Sequence, residues 1–258
     1  MTRALIALAV LATGCSSKPE PARDRPTPGS AAAPASVTPR DAASPDARAD
    51  VAALKHHMMT HFAAASELER AIARGRLAEA RWNAQWLLDH DEPLLDGWRP
   101  FVDEMRAAAR AVVQAVDLPA AAALAPRLGL ACSRCHEARA AVVTFAWEPP
   151  VDDQPALKIQ MQRHQWAAAR LWEGLVGPSD EMWSEGTSVL STARLDAASI
   201  TGGAPRGDVA ALAAKVRELA GRARAVTGHD ERATLYGELL STCAGCHQLV
   251  RPNPAPGP

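Results

Sequence analysis

The chain has 258 residues, with 28 Lys and Arg against 29 Asp and Glu and a formal net charge of -1 at pH 7. That balance lacks the basic surplus that binding a phosphate backbone requires, so it excludes an electrostatically driven nucleic-acid partner. Apolar residues make up 48% of the chain, yet it holds one Tyr and three Phe; an alanine-rich sequence with few β-branched runs favours helix over sheet.

At the N-terminus Arg3 precedes the apolar run Ala4 to Ala12. The run is too short to span a bilayer, and residues 1–14 read as a secretory signal. It closes on TGCSS (Thr13 to Ser17). Small residues before a lone cysteine resemble a bacterial lipobox, in which Cys15 is lipidated and becomes the mature N-terminus. The plain alternative is an ordinary signal peptide with an incidental cysteine. Residues 16–50 hold seven prolines and no aromatic residue. Such a segment cannot bury enough apolar surface to fold, so 15–50 is expected to be a disordered tether and the tail 251–258 likewise unstructured. The expected location is the periplasmic side of a bacterial membrane, held by the lipid, with Ser16 and Ser17 suiting the outer membrane.

The body of the chain repeats itself. A shift of 103 residues aligns Leu54, Met58, His61, Ala65, Leu68 and Ile72 with Leu157, Met161, His164, Ala168, Leu171 and Leu175. Steps of four and three place each set on one face of a helix. Gly75 interrupts the first helix, and Gly174, Gly177 and Pro178 the second. A second helix follows at about 77–90 and about 180–196, where Ser179, Asp180 and Glu181 suit a helix start. A third follows at about 98–116 and about 208–226, and a fourth begins near Pro119 and near Asp230. The expected fold is all-α: two tandem four-helix-bundle units at 51–140 and 157–250, joined by a linker at 141–156.

Each fourth helix carries CxxCH: CSRCH (Cys132 to His136) and CAGCH (Cys243 to His247). This is the attachment signature of c-type haem. Thiols three apart on a helix face the same way, as two neighbouring vinyl groups require, and the histidine joins that face to reach the iron. Cys132, Cys135, Cys243 and Cys246 are therefore the candidate attachment residues for two haem c groups, with His136 and His247 as proximal ligands. A Cys₄ zinc site would want nearby pairs in a reducing compartment, and a thioredoxin-like pair would want a βαβ context. On the other face of each iron the candidates are His61 and His164, or Met58 and Met161; a vacant position is the third alternative. His56, His57 and His90 are expected at the surface, and the tryptophans are expected to pack a core around a flat cofactor.

An Ala-rich four-helix unit with CxxCH in its last helix resembles the class II cytochromes c, the cytochrome c′-like proteins. The residues that carry the likeness are Cys132 to His136 and Cys243 to His247, with MMTHF (Met58 to Phe62) and MQRH (Met161 to His164). It covers roughly 51–140 and 157–250 in two copies. The resemblance implies a bundle holding five- or six-coordinate haem, with the proximal ligand from CxxCH and any distal ligand from the first helix. The function expected is electron transfer between redox proteins of the cell envelope, a carrier rather than an enzyme. The alternatives are a haem protein that binds NO or CO and a diheme peroxidase-like enzyme.

Overall fold

Apolar periodicity, glycine stops and acidic caps place the helices, and a computed structural model shows eight of them among the described residues. They are α1 (Pro45–Ala73), α2 (Leu77–Asp89), α3 (Arg99–Gln114), α4 (Leu118–Ala138), α5 (Leu157–Val176), α6 (Asp180–Ser191), α7 (Arg206–Ala223) and α8 (His229–Val250). The structure describes residues 45–250 apart from 94, 147, 197–198 and 201–204, with side chains from Asp50 onward. The signal segment, Cys15, most of the tether, Trp147 and the tail lie outside the described residues. Among the described residues there is no strand, and the fold is all-α.

Local chemistry explains the boundaries. Gly75 has φ +78; its N–H donates to the Ile72 carbonyl at 2.9 Å and the Arg76 N–H to the Ala71 carbonyl at 2.8 Å. That pair of bonds around a left-handed residue is a Schellman stop, which glycine makes at low cost. Asp117 caps α4 by accepting from the Ala120 N–H at 2.8 Å, and Ser179 caps α6 by accepting from the Met182 N–H at 3.3 Å. Two boundaries differ from expectation. Helix α1 starts at Pro45, inside the segment assigned to the tether; proline's fixed φ suits a first turn. Helix α6 stops at Ser191, short of 196. Hydroxyls of Thr187, Ser191 and Thr192 bond back to carbonyls in its last turns, a competition that weakens a helix end.

From Asp46 onward the helices form one compact unit. Helix α2 packs on α3 and α3 on α4; α5 packs on α6, α6 on α7, and α8 on α7 and α5. Helix α4 also packs on α8 and α5. Helix α1 joins this seam through side chains. The Trp172 Nε1–H donates to Ser66 Oγ at 3.2 Å, and the Tyr236 hydroxyl meets Glu69 Oε1 at 2.8 Å. The core that results is continuous across both halves, with Leu68, Ile72, Leu128, Leu171, Leu219 and Leu239 almost fully buried. Trp172 and Trp183 belong to it, whereas Trp82 is 69% exposed and packs no core.

Helices α5 and α6 approach closely at Gly186, where an added Cβ would stand 2.7 Å from the Ala167 carbonyl oxygen and 2.8 Å from Leu171 Cγ. Backbone cannot swing aside as a side-chain tip can. Gly186→Ala should therefore destabilise the protein by about 1–3 kcal/mol through overpacking, read as a lower urea midpoint at unchanged slope. An unchanged midpoint would show that the two helices separate freely.

Candidate cofactor site

The residues of CAGCH lie on the last turns of α8, three and four positions apart, and so share a face. Cys243, Cys246 and His247 line a cavity of about 580 Å³ together with Met161 and His164 of α5. That volume lies within the range of cofactor pockets. Residues some eighty positions apart in the chain thus meet at one place. Helix α7 closes one side with Leu212 and Val216.

His164 is the informative member. Its Nε2 is buried and has no hydrogen-bond partner. Burial, and then the charges of Arg217, His247 and Arg163, push its pKa down to about 4. It is therefore neutral at physiological pH, the form of imidazole that binds metals. A buried polar nitrogen without a partner costs free energy that folding does not recover.

In the first half, CSRCH occupies the last turns of α4. His136 Nδ1 lies 2.9 Å from the Val176 carbonyl at the end of α5. A carbonyl only accepts, so Nδ1 carries a proton. Arg134 pairs with Asp230 of α8 at 2.9 Å, and His229 Nδ1 lies 3.2 Å from Glu137 Oε1. These contacts tie the motif to the start of α8.

All four CxxCH cysteines are free and partly buried. Burial pushes the Cys132 and Cys243 thiols up to about 12 and raises those of Cys135 and Cys246 as well. A thiol–disulfide redox pair works through a lowered thiol pKa, so the shift here runs the wrong way for that chemistry.

His61 sits in a cluster that sequence reasoning missed. His57 Nε2 lies 2.9 Å from Glu92 Oε2, and His61 Nε2 lies 3.1 Å from Glu92 Oε1. The His61 contact is misaligned for a hydrogen bond, so its Nε2, like that of His164, is a buried nitrogen without one. The His90 ring stacks on Trp86 with centroids 4.1 Å apart. One ring nitrogen from each of His57, His61 and His90 falls within 4.8 Å of the others, a spacing that could hold a metal ion. Burial would raise the Glu92 carboxyl, but His61 and His57 outweigh it and hold Glu92 below its usual range. Burial, then the charges of His61 and His57, lowers His90. His57 and His90 are thus partly buried rather than simply exposed; the signal for His57 was its position four before His61, one helical turn away. The Glu92 charge is among those that raise the Cys132 thiol. Met58 is half-buried on the same helix.

One further group entered the site unforeseen. Glu69 of α1 lines the α8 cavity beside Arg70 and Arg74. It is 4% exposed, and burial raises its pKa to about 7 against the lowering effects of the Tyr236 hydrogen bond, Arg70 and Arg74. In the unfolded chain the same carboxyl titrates near 4.5. The folded form holds the proton more tightly, so Glu69's favourable share of stability is complete below the unfolded value. It is lost as pH rises from about 4.5 to about 7. Comparing wild type with Glu69→Gln by chemical denaturation should show the stability difference shifting in favour of the variant across that window, by on the order of 3 kcal/mol. A difference that stays constant with pH would mean that Glu69 titrates normally.

No family model, no curated protein and no solved structure matches the chain. No helix among the described residues is long and apolar enough to cross a membrane.

Proposed function

We propose that the chain is a diheme c-type cytochrome that carries electrons between redox proteins of the bacterial envelope, tethered to the membrane by a lipid on Cys15. In this reading it consists of two tandem four-helix units, 51–140 and 157–250, each holding one haem. The observation that carries the proposal is the unpartnered, neutral His164 Nε2 in a cavity shared with Cys243, Cys246 and His247. An iron porphyrin bonded to that helix would give the nitrogen its missing partner.

The chain's residues have separable roles. Cys132, Cys135, Cys243 and Cys246 hold the two groups covalently. His136 and His247 are the proximal ligands, and the Val176 carbonyl keeps the His136 ring in the tautomer with Nε2 free. His61 and His164 are the distal ligands. Met58 and Met161 stand beside them, but a thioether packs in a core without needing a partner, whereas the imidazole nitrogens need one. Arg70, Arg74 and Arg76 line the α8 cavity and suit the two carboxylates of a haem. Haem supplies one-electron iron chemistry; the protein attaches it, ligates it and keeps water away.

The purified exported protein should show a Soret band, two haems per chain by pyridine haemochrome, and low-spin spectra that CO does not change. His164→Ala should turn half of the haem high-spin and open it to CO. Absence of covalent haem would end the proposal. Native haem that binds CO would move the reading to gas binding or peroxidase-like chemistry, both of which need an open position.

One observation favours a second reading for the first half: the His57, His61 and His90 triad with Glu92 has the donors and spacing of a transition-metal site. It would claim His61 and leave Met58 to the haem. Calorimetric titration with Co²⁺ separates the two. Stoichiometric binding that His90→Ala abolishes, with the haem spectrum intact, supports the metal site; no binding leaves His61 to the haem.

A further inference from the structure

At one buried position lining the α8 cavity, the first half supplies a carboxyl where the repeat has an apolar residue. Glu69 corresponds, at the 103-residue shift, to Trp172. Trp172 is a buried core residue, whereas position 69 places a carboxyl in the wall of the α8 cavity. Burying a carboxyl is costly unless its proton or its charge is provided for.

The hydrogen bonds show how the proton is held. The Tyr236 hydroxyl lies 2.8 Å from Glu69 Oε1 and 3.0 Å from the Ala168 carbonyl. A hydroxyl has one proton, and a carbonyl can only accept. If Tyr236 donates to Ala168, the bond to Glu69 needs the proton on Glu69. When Glu69 is ionised, the same hydroxyl turns and donates to the carboxylate instead. The pair accommodates both states with a rotation of one O–H, and Glu69 stands in the wall of the cavity.

Resting on the diheme reading above, we propose that Glu69, bridged to α8 by Tyr236, is a redox-linked proton site. Glu69 takes up one proton from solvent as the haem on α8 accepts one electron from a one-electron redox partner, and it returns that proton on oxidation. One negative charge arrives and one positive charge accompanies it, so the charge inside the cavity stays constant. A low-dielectric site favours that compensation.

The surrounding groups leave Glu69 to do the titrating. On α1, Glu67, Arg70 and Arg74 act on it as fixed charges. On α8, Tyr236 is held well above its ordinary range and keeps its proton at neutral pH, while Cys243, bonded to the haem as a thioether, has no proton to exchange. From α5, Glu173 acts on Tyr236 and is itself raised by burial, and His164 lines the same cavity. From α7, Arg217 adds a fixed positive charge that acts on His164.

The experiment is a spectroelectrochemical titration of the full-length holoprotein across neutral pH, followed by a reduced-minus-oxidised infrared difference spectrum. One of the two midpoints should fall as pH rises, by up to about 59 mV for each tenfold drop in proton concentration. Reduction should bring in a protonated-carboxyl band. Glu69→Gln should flatten that slope and remove the band while both haems remain. Tyr236→Phe should move the sloping window to higher pH, because the lost hydroxyl bond had lowered the Glu69 pKa. A slope that survives in Glu69→Gln, or a wild type without the carboxyl band, overturns the proton site. If Glu69→Gln does not fold, the wild-type band and the Tyr236→Phe shift decide between the same outcomes. A protein with no Soret band fails earlier, at the diheme reading itself.

Discussion

A polar atom shut away from water must have a partner, and two imidazole nitrogens in this protein have none that is aligned to bond. His61 Nε2 and His164 Nε2 are both buried, on equivalent turns of α1 and α5. Leucine at either place would have packed without that cost. The residues around them follow the same demand. His164 is kept neutral by burial and neighbouring positive charge, and the CAGCH turn faces it across a cavity of cofactor size. A metal bound at that nitrogen would offset this cost, since a metal–ligand bond couples binding to folding.

The first and second parts of the chain are tied to each other at their CxxCH turns. The end of α5 supplies the carbonyl that orients His136. The end of α1 comes against α8, where a Cβ on Gly75 would meet Gln248 Cγ at 3.1 Å. Each first helix therefore ends at the other half's CxxCH turn. Arg134 with Asp230 and Tyr236 with Glu69 cross the same seam. These contacts join the helices into one continuous core.

The CxxCH pattern repeats, but its surroundings do not. Near His61 stand His57, His90 and Glu92. At the 103-residue shift those positions are Gln160, Ala193 and Leu195. Gln160 is bound instead by Asp153 and Gln154, and Leu195 lines the α8 cavity. One site is therefore rich in imidazole and carboxylate, the other in apolar surface with arginines and one buried carboxyl. Charge, burial and hydrogen bonding around a haem set its potential, so two such sites in one chain would sit at different potentials and give electrons a direction.

The helices were legible in the sequence because their causes are local. The four-three spacing from Leu54 to Ile72 and from Leu157 to Leu175, the stop at Gly75 and the caps at Asp117 and Ser179 act within a few residues. CxxCH is likewise a short-range pattern, with its three side chains on one helix face. Only the tertiary structure decided which distant side chains meet. Glu69 reaches Tyr236 across 167 positions and His57 reaches Glu92 across 35. No periodicity links such pairs, and a buried Glu or a clustered His looks the same in sequence as an exposed one. Their environment comes from how helices cross, and that is fixed by packing along the whole length of each pair rather than by any residue read alone.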